Sequence, residues 1–281
     1  MEETPLVSVI VLAYNNQEYI RYALDSILAQ DYPAMEVIVA DDHSRAFDCE
    51  GIRAYLESRR GANIRRVLVY QNPENYGTVK NFNCAIAKAQ GTYLKGLAAD
   101  DALYAPDVLT RGCQALAQSP DGVMAAYVMQ CTADMKEIGL LREGFLRALP
   151  QKTPRELWKV LCVHNGIAAP GVFFARTFFQ RYGAFDESYR ILEDWPTWLR
   201  VTRQGCRISC GDFVAVKYRG NTGSATSVSP VYLADKRRTF EQEIRPYRSE
   251  MEWGVYCKAL LNWKIRDSIL VRKIYGMLFR R

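Results

Sequence analysis

Apolar residues recur along the first half of the chain in short blocks, separated by segments of helical period. VSVIVLA (7–13), EVIVA (36–40), RRVLVYQ (65–71), the run from Tyr93 to Ala99 and GVMAAYVM (122–129) read as buried strands, several of them rich in β-branched residues. Between them, residues 20–30, 49–60, 79–89 and 106–118 carry the pattern of amphipathic helices. Asn15 and Glu18 have capping-box spacing ahead of the first helix, and Thr153 to Glu156 repeat that signature with Pro154 at the first helical position. Strand and helix alternate at least four times. Such alternation implies an α/β fold, a mostly parallel sheet with helices on both faces.

Beyond residue 130 the pattern loosens. HNGIAAPG (164–171) is a loop, RTFFQRYG (176–183) a short helix ending in Gly, LEDWPTWLRVTRQG (192–205) a helix after two acids, and CRISCGDFVAVKYR (206–219) a strand or hairpin. NTGSATSVSP (221–230) is a polar loop, and the rest, from Val231, is mostly helical. The expected division is a main domain over 1–228, split near 104 into two halves, and a helical, basic extension over 229–281.

Ligands of parallel sheets bind at the carboxyl ends of the strands. Asp41-Asp42, Asn72 to Gly77 and Asp100-Asp101 all fall there, which turns three polar loops into one candidate site. Two adjacent carboxylates repel unless solvated or neutralised, and hard divalent cations take one or two carboxylates together with substrate phosphates. Asp100-Asp101 therefore reads either as a turn with one exposed acid or as a metal site. Asp42 reads as an acceptor for a base N–H or a ribose hydroxyl, or as a loop cap. Asn75 and Gly77 allow a tight turn beside a nucleotide. Glu193-Asp194 opens a helix, where the dipole favours acids, and is also a candidate general base. Trp195 and Trp198 stack on a sugar or pack in the core.

Composition narrows the classes. The chain has 281 residues and is 49% hydrophobic, which excludes general disorder. It has no basic, cleavable leader and no run of 18 apolar residues, so the sequence predicts a cytoplasmic protein. Eight scattered cysteines with no CxxC pair suit a reducing compartment and no zinc site. The net charge of +6 lies wholly in residues 257–281, which hold seven cations and one acid. That distribution argues against nucleic acid as the partner of the main domain. The tail reads either as a basic amphipathic helix on an anionic membrane surface, peripheral at the inner face of the plasma membrane, or as a helix packed on the protein. No GxGxxG and no basic glycine-rich loop follows the first strand, which disfavours a dehydrogenase or a nucleotidyltransferase.

The motifs VSVIVLAYNNQEYI (7–20), EVIVADDHS (36–44), NPENYGTVKNFNCAIAKAQGTYL (72–94), LAADD (97–101) and GAFDESYRILEDWPTWLR (183–200) together resemble glycosyltransferase family 2, with its GT-A fold. The resemblance implies an inverting enzyme that takes a nucleotide-diphospho-sugar, UDP-linked by default, to a glycan or lipid-linked acceptor in surface polysaccharide synthesis. By position it assigns donor binding to Ala13, Tyr14, Asp42, Asn75, Gly77, Asn83 and Asp100. It assigns the metal, Mn²⁺ or Mg²⁺, to Asp101, the base to Asp194 and an orienting role to Glu193. His164, Asn165, Trp195 and Trp198 are the acceptor-side candidates. The sequence departs from the pattern at His43, where Gly is usual, at Ala98, where a first acid is frequent, and at Phe82, where Arg is frequent. The loop after Tyr218-Arg219 also lacks the His that many members carry. These departures leave a second reading, a catalytically silent binding or scaffold protein of the same fold.

Overall fold

β1 (Val7–Ala13), α1 (Ile20–Leu28), β2 (Met35–Asp41), α2 (Cys49–Glu57), β3 (Ile64–Gln71), α3 (Thr78–Lys88) and β4 (Tyr93–Ala98) follow one another at the start of the computed structural model. It describes residues 4–220 and 229–266, with side chains to residue 263. Next come β5 (Ala102–Leu103), α4 (Val108–Ala117), β6 (Val123–Cys131), β7 (Glu137–Leu140), α5 (Glu143–Ala148), α6 (Pro154–Val163), β8 (Val172–Ala175) and α7 (Arg176–Tyr182). The described chain closes with α8 (Asp194–Arg203), β9 (Ser209–Arg219), α9 (Pro230–Thr239) and α10 (Trp253–Arg266). The strands and helices expected up to residue 131 are present, with ends shifted by at most three residues.

Among the described residues the strands form one sheet in the order β3-β2-β1-β4-β8-β6-β9-β5, with β7 on β6. The first four are parallel, in a register that pairs Ala13 with Asp41, Asp41 with Gln71 and Leu12 with Ala98. Their carboxyl ends therefore lie side by side, as the alternation of strand and helix requires. β8 enters antiparallel between β4 and β6, and β9 returns parallel to β6.

Alternation along each strand splits the core in two. Val7, Val9 and Val11 pack with Leu24, Ile27, Leu56 and Leu109 on one face. Ile10 and Ile38 pack with Phe82, Trp158, Phe174 and Trp198 on the other. Each fully buried aliphatic contributes roughly 1.5–3 kcal/mol.

Two helix starts with the same sequence signature differ. Thr153 makes the expected capping box with Glu156. Asn15 does not cap α1. It sits at φ 51°, outside the helix, and its side-chain oxygen accepts from the Arg45 N–H.

The segment after 229 joins the second core. Phe240, Ile244, Met251, Tyr256 and Ala259 share a cluster with Trp158 and Trp198. Trp263 stacks on Phe240 at 4.7 Å, and Asn262 donates to the Val163 carbonyl at 3.0 Å. The start of the predicted tail is thus packed on the protein, although Leu261 is exposed. The remainder of the tail, 267–281, and the loop residues 221–228 lie outside the described residues.

Candidate active site

The rim begins where β1 and β2 end. Ala13 is buried and its carbonyl accepts from the Asp42 N–H at 2.8 Å, while Tyr14 is half exposed beside it. Asp41 is spent on its own loop, accepting from the Ser44 N–H and hydroxyl and from Gln71. His43 stands at φ 67°, in the left-handed region. That conformation supplies a physical reason for glycine at this position in related sequences.

Asp42 is only 3% exposed. One carboxylate oxygen accepts from the Tyr76 N–H at 2.8 Å and from Asn72 at 3.2 Å, and the other from the Gly77 N–H at 2.8 Å. Its first task is to fold the 72–77 turn against the strand end, so it is less open to a ligand than the sequence suggests. Asn75 donates to the Asp42 carbonyl at 3.3 Å. Gly77 has φ 82°, and a β-carbon there would stand 2.4 Å from the Arg190 carbonyl oxygen. The turn needs glycine for both reasons.

Asn83 faces elsewhere. It exchanges hydrogen bonds with the backbone of Phe185 and donates to Glu187. It ties α3 to the 185–187 loop.

Asp100 and Asp101 follow β4, at 8% and 1% exposure. Asn16 approaches the Asp100 carboxylate at 3.5 Å. Asp101 accepts from the Arg219 N–H at 3.0 Å, and the Arg219 Nε donates to the Asp100 carbonyl at 2.9 Å. Arg219 is buried, its guanidinium 4.7 Å from the rings of both Tyr19 and Tyr22. The pairing of β5 with β9 brings it there. Behind the pair lies Lys95, fully buried, donating to the carbonyls of Gly96 and Pro170. Burial pulls its pKa down to about 7, against the pull of Asp101.

The residues fit a divalent cation. The second oxygen of Asp101 is buried and has no partner among the described residues. Burial, and after it the charge of Asp100, hold the Asp101 carboxyl well above the ordinary range. A cation relieves both. Among the described residues no cluster of three or more His, Cys, Asp or Glu completes a protein-only site. Two carboxylates completed by diphosphate oxygens suit Mg²⁺ or Mn²⁺.

Asp194 is the first residue of α8. Its carboxylate accepts from the Asn165 side chain at 2.7 Å and from the Trp195 N–H at 2.6 Å. Burial raises its pKa, and the Asn165 bond, the Trp195 N–H and Arg142 oppose the rise. Glu193 is raised by burial first and by Asp194 second. A carboxylate held basic in this way suits proton abstraction.

The acceptor-side candidates divide. Asn165 holds Asp194. His164 is exposed at the end of α6, its ring 5.7 Å from that of Phe145. Trp195 is part-buried and donates to the Leu161 carbonyl. Trp198 is 1% exposed and stacks on Phe174 at 6.0 Å. It cannot face a sugar, and the core reading holds for it.

Asn16, Lys95 and Arg219 were missed from sequence. The only trace of Lys95 was a lysine inside an apolar strand, and Arg219 is 118 residues from Asp101.

Residues 8–175 match the family model for Glycosyl transferase family 2. A Haemophilus influenzae protein named an uncharacterized glycosyltransferase is 27% identical over 239 residues, 81% of this chain and 69% of that protein. A second, from Rickettsia prowazekii, is 29% identical over 71% of this chain, which spans 59% of that relative's length. TuaG of Bacillus subtilis, named for teichuronic acid biosynthesis, is 38% identical over 34% of this chain and 36% of its own. Among solved structures, S. aureus TarS 1–349 in complex with UDP-GlcNAc has a TM-score of 0.66 at 19% identity, covering 98% of this chain and 76% of that one. The Pyrobaculum calidifontis mannosyltransferase PcManGT, solved with GDP-Man and Mn²⁺, has a TM-score of 0.57 at 21% identity, covering 98% of this chain and 79% of that one. These two likenesses establish the fold.

Proposed function

The chain belongs to glycosyltransferase family 2, and on that premise we propose that it transfers a sugar, with inversion, from a nucleotide diphosphate to a hydroxyl of a glycan or lipid-linked acceptor. The observation that carries the reading is the buried oxygen of Asp101 that has no partner among the described residues, beside Asp100 at the rim that also holds the 72–77 turn. The nucleotide lies along the ends of β1 and β2, against Ala13, Tyr14 and the turn that Asp42 folds. Asp101, with Asp100 in support, holds a divalent cation, which when bound offsets charge on the departing diphosphate.

Asp194 takes the proton of the acceptor hydroxyl. That oxygen forms its bond to the anomeric carbon from the face opposite the diphosphate, whose bond to carbon breaks with its electron pair. Glu193 keeps the pair's charge low and orients Asp194 or the acceptor. UDP is the first choice of nucleotide, since one structural neighbour was solved with UDP-GlcNAc. Polysaccharide synthesis as the setting is supported by the likeness to TuaG.

No helix among the described residues is long and apolar enough to cross a membrane. A lipid-linked acceptor would be met through the basic residues of 257–281. Tyr256, Ala259 and Trp263 are core-packed, so the informative truncation ends at residue 266. Loss of binding to phosphatidylglycerol vesicles on that truncation is the expected result, and equal binding overturns the membrane assignment.

The deciding experiment is calorimetric titration of UDP with and without Mn²⁺, on the wild type and on Asp101→Ala, followed by a sugar-nucleotide hydrolysis screen. Manganese-dependent binding that the variant loses supports the site. Absence of binding by UDP and by GDP in every condition overturns it.

A further inference from the structure

Asp235 lies on α9, outside every motif that carries the family resemblance, and is 4% exposed. One of its carboxylate oxygens accepts from three consecutive backbone N–H groups, those of Arg190 at 2.9 Å, Ile191 at 2.8 Å and Leu192 at 3.2 Å. These are the three residues before Glu193 and Asp194. The α9 helix that presents it is anchored by Ser229, whose hydroxyl accepts from the Tyr232 N–H, and the Thr239 hydroxyl donates to the Asp235 carbonyl.

The same three-residue segment is held from its other side. The Arg190 carbonyl accepts from the Val79 N–H at 3.2 Å and fills the space beside Gly77. The Arg190 guanidinium donates to the carbonyl of Asn75 at 3.1 Å and to its side chain at 2.5 Å. Residues 190–192 are therefore clamped between the turn on the donor rim and a buried carboxylate from the carboxyl-terminal segment.

We propose that Asp235 is the positioning residue of the Glu193-Asp194 pair, fixing the backbone that aims it. The proposal rests on the glycosyltransferase reading of that pair. A carboxylate buried at this cost needs its charge satisfied, and three backbone donors on one oxygen do so. In return they set the backbone through the last residue before Glu193. Small misplacements of a catalytic group cost rate out of proportion to their size, while the 72–77 turn keeps its own bonds from the Tyr76 and Gly77 N–H groups to Asp42 without Asp235. Asp235 also acts on Glu193 directly, its charge adding to burial and to Asp194 in raising that carboxyl.

The test uses the full chain with Asp235→Ala and Asp235→Asn. Three readouts are taken below the melting temperature of each: amide hydrogen exchange at 190–192, the dissociation constant of UDP with Mn²⁺, and kcat for hydrolysis of a UDP-sugar that the wild type turns over. Asp235→Ala is expected to lose protection at 190–192 and at least tenfold in kcat, with the UDP constant within twofold of wild type. Asp235→Asn keeps an oxygen acceptor and is expected to recover part of both. If Asp235→Ala does not fold, intermediate protection and an intermediate kcat in Asp235→Asn carry the proposal. Protection lost with kcat unchanged overturns it, as does a fall in kcat that only follows the folded fraction. A wild type that turns over no sugar nucleotide overturns the enzymatic reading itself, and the exchange data then show separately whether the clamp exists.

Discussion

The side chain of Asn165 donates to the carboxylate of Asp194 at 2.7 Å, joining the loop after α6 to the first residue of α8. The bond stabilises the charged form of Asp194 and works against the burial that raises its pKa. Removing it in Asn165→Ala raises that pKa further. The acidic limb of the pH profile of kcat/KM should therefore move to higher pH, by about one unit for the loss of roughly 1.4 kcal/mol of differential stabilisation. A shift to lower pH, or no shift, would show that Asp194 is not the titrating base.

Asp101 and Asp194 should fail in different ways. Asp101→Asn is expected to weaken UDP binding in Mn²⁺ by tenfold or more, with metal dependence lost. Asp194→Asn keeps the hydrogen-bonding shape, so it should bind UDP as the wild type does while kcat falls by about 10²–10⁴. Calorimetry beside a transfer assay separates them. The same defect in both variants would place the two carboxylates in one site rather than on opposite sides of the reacting carbon.

The strands of the first half were readable because their signal is local. Val7–Ala13 needs only its own run of apolar residues to be recognised. The coincidence of Asp41, Gln71 and Ala98 at one rim followed from parallel pairing alone. Sequence failed where geometry decides. Asn15-Glu18 and Thr153-Glu156 share a spacing, yet only the second caps, since Asn15 takes a left-handed conformation to reach the Arg45 N–H. Arg219 and Asp235 were invisible because topology sets their contacts, across 118 and about 45 residues. Trp198 was ambiguous because a tryptophan beside an acid looks the same whether it faces a sugar or Phe174.

Gly77→Ala tests whether the turn and the base-bearing loop are one unit. Alanine must adopt φ 82° and place a methyl 2.4 Å from the Arg190 carbonyl. The strained conformation alone costs about 1–3 kcal/mol. For a chain of this size each kcal/mol lowers Tm by about 2–4 °C. Thermal melting should show that loss, and both the UDP constant and kcat should worsen, because Asn75 and Arg190 move together. A variant with wild-type Tm would mean the backbone can turn there without glycine.

Lys95 gives a stability signature of its own. Its ammonium is fully buried, and burial brings its pKa to about 7, below the ordinary value of about 10.4. Between those values the unfolded chain binds a proton that the folded chain has released, so stability rises with pH across that window. Lys95→Met lacks the term. The difference in urea-unfolding free energy between wild type and Lys95→Met should therefore move in favour of the wild type from pH 7 to pH 9. The slope is at most about 1.4 kcal/mol per pH unit, the value for one proton. Comparing the two chains cancels the titration of the tyrosines and cysteines they share. A flat difference would mean that Lys95 stays charged, held by Asp101 and by the carbonyls of Gly96 and Pro170. In that case the cation behind the carboxylate pair would be permanent, and the pair would need less help from a metal than its burial implies.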